Sequence, residues 1–204
     1  MKEFCFAFLD CEFGGLNPEL HDITEIAAIV VDDRLAEICQ AEWKVIPRPG
    51  RVTAEAAKIF NYDEREWREQ GVPLRQALGE LAGLLPKGRT CVPAGQNVRM
   101  DVIFLEKGYR ACGLPWPFDY HVIDLATLFY GWSLVAGEKV AALSLRQAAT
   151  RAGLADGKIT HRALADARLT LDTFRHYIGR LAPRGAPGEP GGPGGPGEPG
   201  EPGG

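Results

Sequence analysis

Apolar and polar positions divide the chain into strands and helices with little ambiguity. The run FCFAFLD, from Phe4, predicts a first strand. ITEIAAIVVDD, from Ile23, predicts a second, and AEICQAEWKVI, from Ala36, a third, with Asp32 and Asp33 as turn residues between them. Connections this short favour neighbouring antiparallel strands. Helical spacing then takes over in TAEAAKIF and in PLRQALGELAGLL, where Leu74, Leu78, Leu81 and Leu85 fall on one face. TCVPAGQ predicts a short fourth strand. NVRMDVIFLEKGYRACG predicts a helix closed by Gly113 and Pro115. HVIDL predicts a short fifth strand, and LSLRQAATRAGL and ALADARLTLDTFRHYIGRL the last helices, the latter ending before Pro183. The sum is an α/β domain: a central mixed five-stranded sheet, its first three strands an antiparallel meander, flanked by helices.

One feature breaks the first apolar run. Asp10 and Glu12 stand two apart near its end, so both side chains point to one face. Two carboxylates ~4 Å apart repel by about 4 kcal/mol at an effective dielectric of ~20. More carboxylates fall at comparable places. Asp101 lies four residues after Asn97, and both are read onto one face of the helix they open, with Asn97 suited to cap it. His161 and Asp166 stand at the start of the last helix. Each piece alone is commonplace: a lone acid near a helix start is usually a cap or a solvated charge. Together they put four carboxylates and a histidine at strand ends and helix starts, where α/β sheets build their sites. Oxygen ligands of this kind suit Mg²⁺ or Mn²⁺.

Composition narrows the range of functions. The chain has 204 residues, 45% of them hydrophobic, enough for one domain with its own core. A net charge of -4 argues against a broad basic surface that coats a long duplex. It leaves room for an enzyme that grips a short piece with metal ions supplying positive charge locally. Five cysteines, none in a CxxC pair, read as reduced thiols. No signal-peptide segment and no stretch approaching a membrane helix is present, so a soluble, cytoplasmic protein without membrane contact is expected. Residues 1–182 read as the folded domain. Residues 183–204 read as a disordered Gly/Pro-rich tail, although Gly recurs at every third position from Gly185 to Gly203.

The three motifs stand in an informative order: FLDCEFGGLNPELHDITEIAAIVVDD, AGQNVRMDVIFLE and HRALADARLT. In this order and with these residues the chain resembles the DnaQ-like, DEDDh-type 3′–5′ exonucleases, which have a ribonuclease-H-like fold. The resemblance runs from Phe4 to about Ile178 and is weakest between Arg48 and Arg89. It departs from the usual pattern at Phe13, where the family has a small polar residue or Met, and at Met100, where it has an aromatic.

The resemblance implies specific roles. Asp10, Glu12, Asp101 and Asp166 would hold two divalent cations, Mg²⁺ or Mn²⁺, and His161 would act as general base. Phe13, Gly14, Gly15 and Leu16 would line the pocket for the terminal nucleotide, with Leu16 as a wedge between the last two bases and Asn97 as a substrate contact. Core packing is the competing reading for Phe13 and Leu16, and a helix cap for Asn97. Glu25, inside the apolar second strand, reads as a buried pair partner. Nucleic-acid 3′ ends, DNA or RNA, are the implied substrate and nucleoside 5′-monophosphates the product. A homodimer is compatible with the family, and no polymerase partner is identifiable. The competing function is an exonuclease-like module that binds nucleic acid or a partner without turnover.

Overall fold

The computed structural model describes residues 3–156 and 161–181. The proposed tail, 183–204, lies outside them. Five strands form one sheet: β1 (Phe4–Phe13), β2 (Ile23–Val31), β3 (Glu37–Lys44), β4 (Thr90–Gly95) and β5 (Ile123–Asp124). Their order is β3-β2-β1-β4-β5. The first three pair antiparallel, and β4 and β5 add on in parallel. This is the mixed sheet with an antiparallel meander that the pattern predicts.

Seven helices accompany it among the described residues: α1 (Ala54–Ile59), α2 (Glu64–Gln70), α3 (Leu74–Leu84), α4 (Arg99–Ala111), α5 (Leu125–Val135), α6 (Leu145–Ala152) and α7 (Ala163–Leu181). Side chains alternate along β1, and so do its cores. Cys5, Ala7, Leu9 and Cys11 pack with Leu78, Leu81, Phe104 and Tyr109 of α3 and α4. Phe8 packs on the other face with Phe129, Ala149, Ala167 and Phe174 of α5, α6 and α7. With helices on both faces, β2 is buried along its whole length. That explains its unbroken apolar reading, which would otherwise alternate.

Two helices depart from the sequence expectation. α2 was not anticipated, yet Asp63 caps it by accepting from Glu66 N at 2.8 Å. An acid followed by Glu three residues later is a helix-start signal that the charged run EREWREQ obscures. Its buried Trp67 donates Nε1–H to Thr24 O at 2.8 Å, tying the 54–70 segment to β2. α5 follows directly on a fifth strand reduced to two residues. LATLFYGWSLV is apolar on nearly every side, so helical periodicity has no polar face to stand out against.

The Trp67 anchor separates packing from hydrogen bonding. Thr24 O also accepts from Val45 N, so it keeps a partner when the indole is removed. Trp67→Phe is therefore expected to cost about 1 kcal/mol, and Trp67→Ala about 3–5 kcal/mol. Urea unfolding with an unchanged m-value would check both, and equal losses in the two variants would contradict the separation.

Candidate active site

The site forms where β1 outruns its parallel neighbour. The β1–β4 pairing ends at Phe8 opposite Ala94, while β1 continues beside β2 as far as Phe13. The Cys11 amide on the open side takes a side-chain acceptor: Asp101 Oδ1, from the first turn of α4, at 2.8 Å. That bond falls between Asp10 and Glu12, and it draws a carboxylate from the α3–α4 layer up to the strand end. Asp10 and Glu12 share the opposite face with Phe8, toward α7. There Glu12, His161 and Asp166 offer ligand atoms that all lie within 4.8 Å of one another. Both helical layers thus deliver acids to one strand end.

Crowding sets the electrostatics. Burial, then the Asp101, Glu12 and Asp166 charges, raise Asp10 well above the ordinary carboxylate range. Burial raises Glu12 to about 8, with Asp166 and Glu25 adding to it and Arg162 opposing. Burial raises Asp101 to about 7, held back by the Cys11 amide that donates to it. Protons or cations must neutralise such a group.

The sequence-predicted residues fall into distinct places. Asp10, Glu12, Asp101, His161 and Asp166 come together. Phe13 lies on the α4 side, its ring stacked on Phe104 at 4.1 Å between centroids. Gly14 has no room for a side chain: a Cβ would meet Arg51 O at 2.1 Å. A Cβ on Gly15 would meet the His21 ring at 2.6 Å. That ring accepts from Asn17 N at 3.0 Å and braces the loop that projects Leu16, which is 82% exposed. Asn97 corrects an expectation. It is no cap and lies outside the helix, exposed, with a left-handed φ of 53°. The following amide, Val98 N, donates instead to Asp124 Oδ2 at 3.0 Å.

Two further acids shape the site. Asp124 caps α5 through Ala126 N and also holds Val98, so it fixes the start of α4 that carries Asp101. Its signal was available, since an Asp immediately precedes the apolar run LATLF. Glu25 lies directly across from Glu12 in the β1–β2 register and is fully buried. The expected pair partner exists: Arg162 Nη2 lies 3.2 Å from Glu25 Oε1. His161, one residue before, has a left-handed φ of 51°, a conformation costing a non-glycine residue of order 1 kcal/mol or more.

Mixed sheet, split helical layers and an acidic cluster at the carboxyl end of the central strand define a nuclease-like α/β class. An exonuclease family model, RNase_T, matches residues 7–174. The chain therefore belongs to this exonuclease family, which carries the ribonuclease-H-like fold. It is 29% identical over 174 residues to a PolC-type DNA polymerase III of Thermotoga petrophila, covering 85% of this chain and 12% of the polymerase. It is 28% identical over 134 residues to the oligoribonuclease of Photobacterium profundum, covering 59% of this chain and 71% of that protein. Among solved structures, E. coli exonuclease I in complex with a dA16 oligonucleotide superposes with a TM-score of 0.67 at 21% identity, over 90% of this chain and 42% of that one. The chain thus spans a small part of the polymerase and under half of exonuclease I. No described helix is long and apolar enough to cross a membrane.

The raised acids predict how stability depends on pH. A carboxyl whose folded pKa is raised stabilises the fold fully below its unfolded pKa and loses that contribution as pH rises through the folded one. For Glu12 the window runs from 4.5 to about 8, and for Asp101 from 3.8 to about 7. Thermal melts in chelator should therefore show a midpoint that falls across this window. Saturating Mg²⁺ or Mn²⁺ should flatten the fall, and Glu12→Gln should reduce it. The same slope with and without cation would refute a cation-dependent cluster.

Proposed function

We propose that this domain is a metal-dependent 3′–5′ exonuclease that hydrolyses single-stranded nucleic acid from the 3′ end and releases nucleoside 5′-monophosphates. The convergence of Asp10, Glu12, Asp101 and Asp166 with His161 at one strand end carries this reading. The acids fit Mg²⁺ or Mn²⁺: all the carboxylate donors are hard oxygens, and burial makes them costly to leave uncompensated. The four carboxylates would hold two cations, which when bound would neutralise charge on the scissile phosphate and on the leaving 3′-oxygen.

The remaining work falls to the chain itself. His161 sits beside Glu12 and Asp166 and would take the proton of the attacking water, a role suited to imidazole near neutral pH. Gly14 and Gly15 let the chain after the strand end pack directly against Arg51 and His21, which would hold the edge of the terminal-nucleotide pocket in place. Leu16, projecting from a loop braced by His21, suits a wedge between the last two bases. Phe13, stacked on Phe104, would support that loop from beneath. Asn97, exposed at the opening of the second motif, is free to meet the substrate. The His161 ring is also near enough to Glu12 and Asp166 to ligate a cation, so metal affinity must be read alongside rate.

Digestion of matched 5′-labelled DNA and RNA single strands, together with very short oligomers, tests the proposal. A ladder shortening from the 3′ end is expected with Mg²⁺ or Mn²⁺ and not in chelator. Asp10→Ala should abolish it. His161→Ala should slow it by about 10²–10⁴-fold with metal affinity largely retained, whereas loss of affinity would make His161 a ligand. Tight, metal-independent binding without cleavage of any substrate would instead establish the binding-module reading.

A further inference from the structure

We propose that Glu25 is a positioning residue for His161: its buried carboxylate clamps Arg162 and Ala163 against β2 and so fixes the backbone that presents the imidazole to Glu12 and Asp166. The inference rests on the reading of His161 as proton acceptor.

Three observations support it. The first is placement. Glu25 pairs with Glu12 in the sheet, so its side chain rises from the same face, one strand over, toward the start of α7. The second is bonding. Glu25 Oε2 accepts from Ala163 N at 3.2 Å and from Arg162 Nε at 3.4 Å. Oε1 lies 3.2 Å from Arg162 Nη2 but forms no hydrogen bond, so that contact is an ion pair. One carboxylate thereby grips the two residues that follow His161. The third is conformation. His161 holds φ at 51°, a left-handed value that a histidine keeps only when its surroundings impose it. The clamp begins at the next residue.

The fold itself gives Glu25 little reason to exist. Apart from Thr24, β2 is otherwise wholly apolar, and apolar residues in place of both partners of a buried ion pair are often neutral or stabilising. Nor does α7 depend on this one cap. It runs for nineteen residues and packs on β1, β2, α5 and α6. A group costly to the fold and bonded to the neighbours of a strained histidine is better explained by what it does to that histidine.

The discriminating experiment is a double-mutant cycle on cleavage of a short labelled single strand at saturating cation. Glu25→Gln keeps shape and an acceptor for Ala163 N but loses the charge that holds Arg162. It is expected to lower kcat about tenfold with KM within about twofold, because misplacing a reacting group costs rate rather than binding. Because Arg162 is partly exposed and can turn to water, the variant's thermal midpoint should stay close to that of the wild type. In a His161→Ala background the same change should have no further effect on kcat, because its target is gone. Arg162→Ala, at a side chain 43% exposed, should show the same His161-dependent loss and supplies the test if Glu25→Gln does not fold. An additive loss in the double variant, or a Glu25→Gln kcat within about twofold of wild type, overturns the inference alone. A His161→Ala enzyme at full speed overturns the proton-acceptor reading and this inference with it.

Discussion

Repulsion among carboxylates at the end of β1 is the constraint around which the rest of the molecule is arranged. Asp10 and Glu12 share a face, Asp166 approaches from α7, and Asp101 from α4 across the strand. Isolated, any one could be accommodated as a surface charge. Gathered and partly buried, they push one another toward the protonated form. A fold maintains such a cluster only if its scaffold is stiff enough to prevent the groups from separating. The sheet supplies that stiffness: β1 is its central strand, held by β4 along its first half and by β2 from Phe6 to its end, with a packed helical layer on each face.

The scaffold's termination is as important as its rigidity. If β4 ran as far as β1, the Cys11 amide would be spent on a sheet hydrogen bond and Asp101 would have no anchor. β4 instead ends at Gly95, where a Cβ would lie 2.7 Å from Leu9 O. The chain then turns through Gln96 and Asn97 into α4. Asp124, at the end of β5, fastens the start of that helix and caps α5 with the same carboxylate. A sheet edge, a glycine and a shared cap thus place a single carboxylate against a single amide.

The parts of this arrangement that were legible in the sequence are those governed by local spacing. Alternation along FCFAFLDCEF put Asp10 and Glu12 on one face, and the strand order of the meander followed from short turns. The five clustered residues were legible as a group because their motifs sit at strand ends and helix starts. What remained hidden depends on partners distant in sequence. Asn97 has the chemistry of a cap, but the Asp124 carboxylate, brought in by β5, takes the amide beside it. Phe13 suits either a nucleotide pocket or core packing, and the ring it stacks on, Phe104, belongs to a helix far along the chain. Glu25 was legible as a buried acid in need of a partner, while its partners, 137 and 138 residues away, were not.

Glu25 also shows why the site contains more negative charge than the metal-ligand reading requires. A fifth acid beside four makes the cluster harder to ionise, since it raises Glu12 further. An amide or an apolar residue at position 25 would relieve that strain. Yet neither would hold a guanidinium and a helix amide at once. Arg162, drawn in by Glu25, in turn lowers Glu12, so the pair returns part of the charge that Glu25 adds. The acid and the arginine thus belong to the same device: one anchors the backbone after His161, and the other offsets the field that the anchor creates.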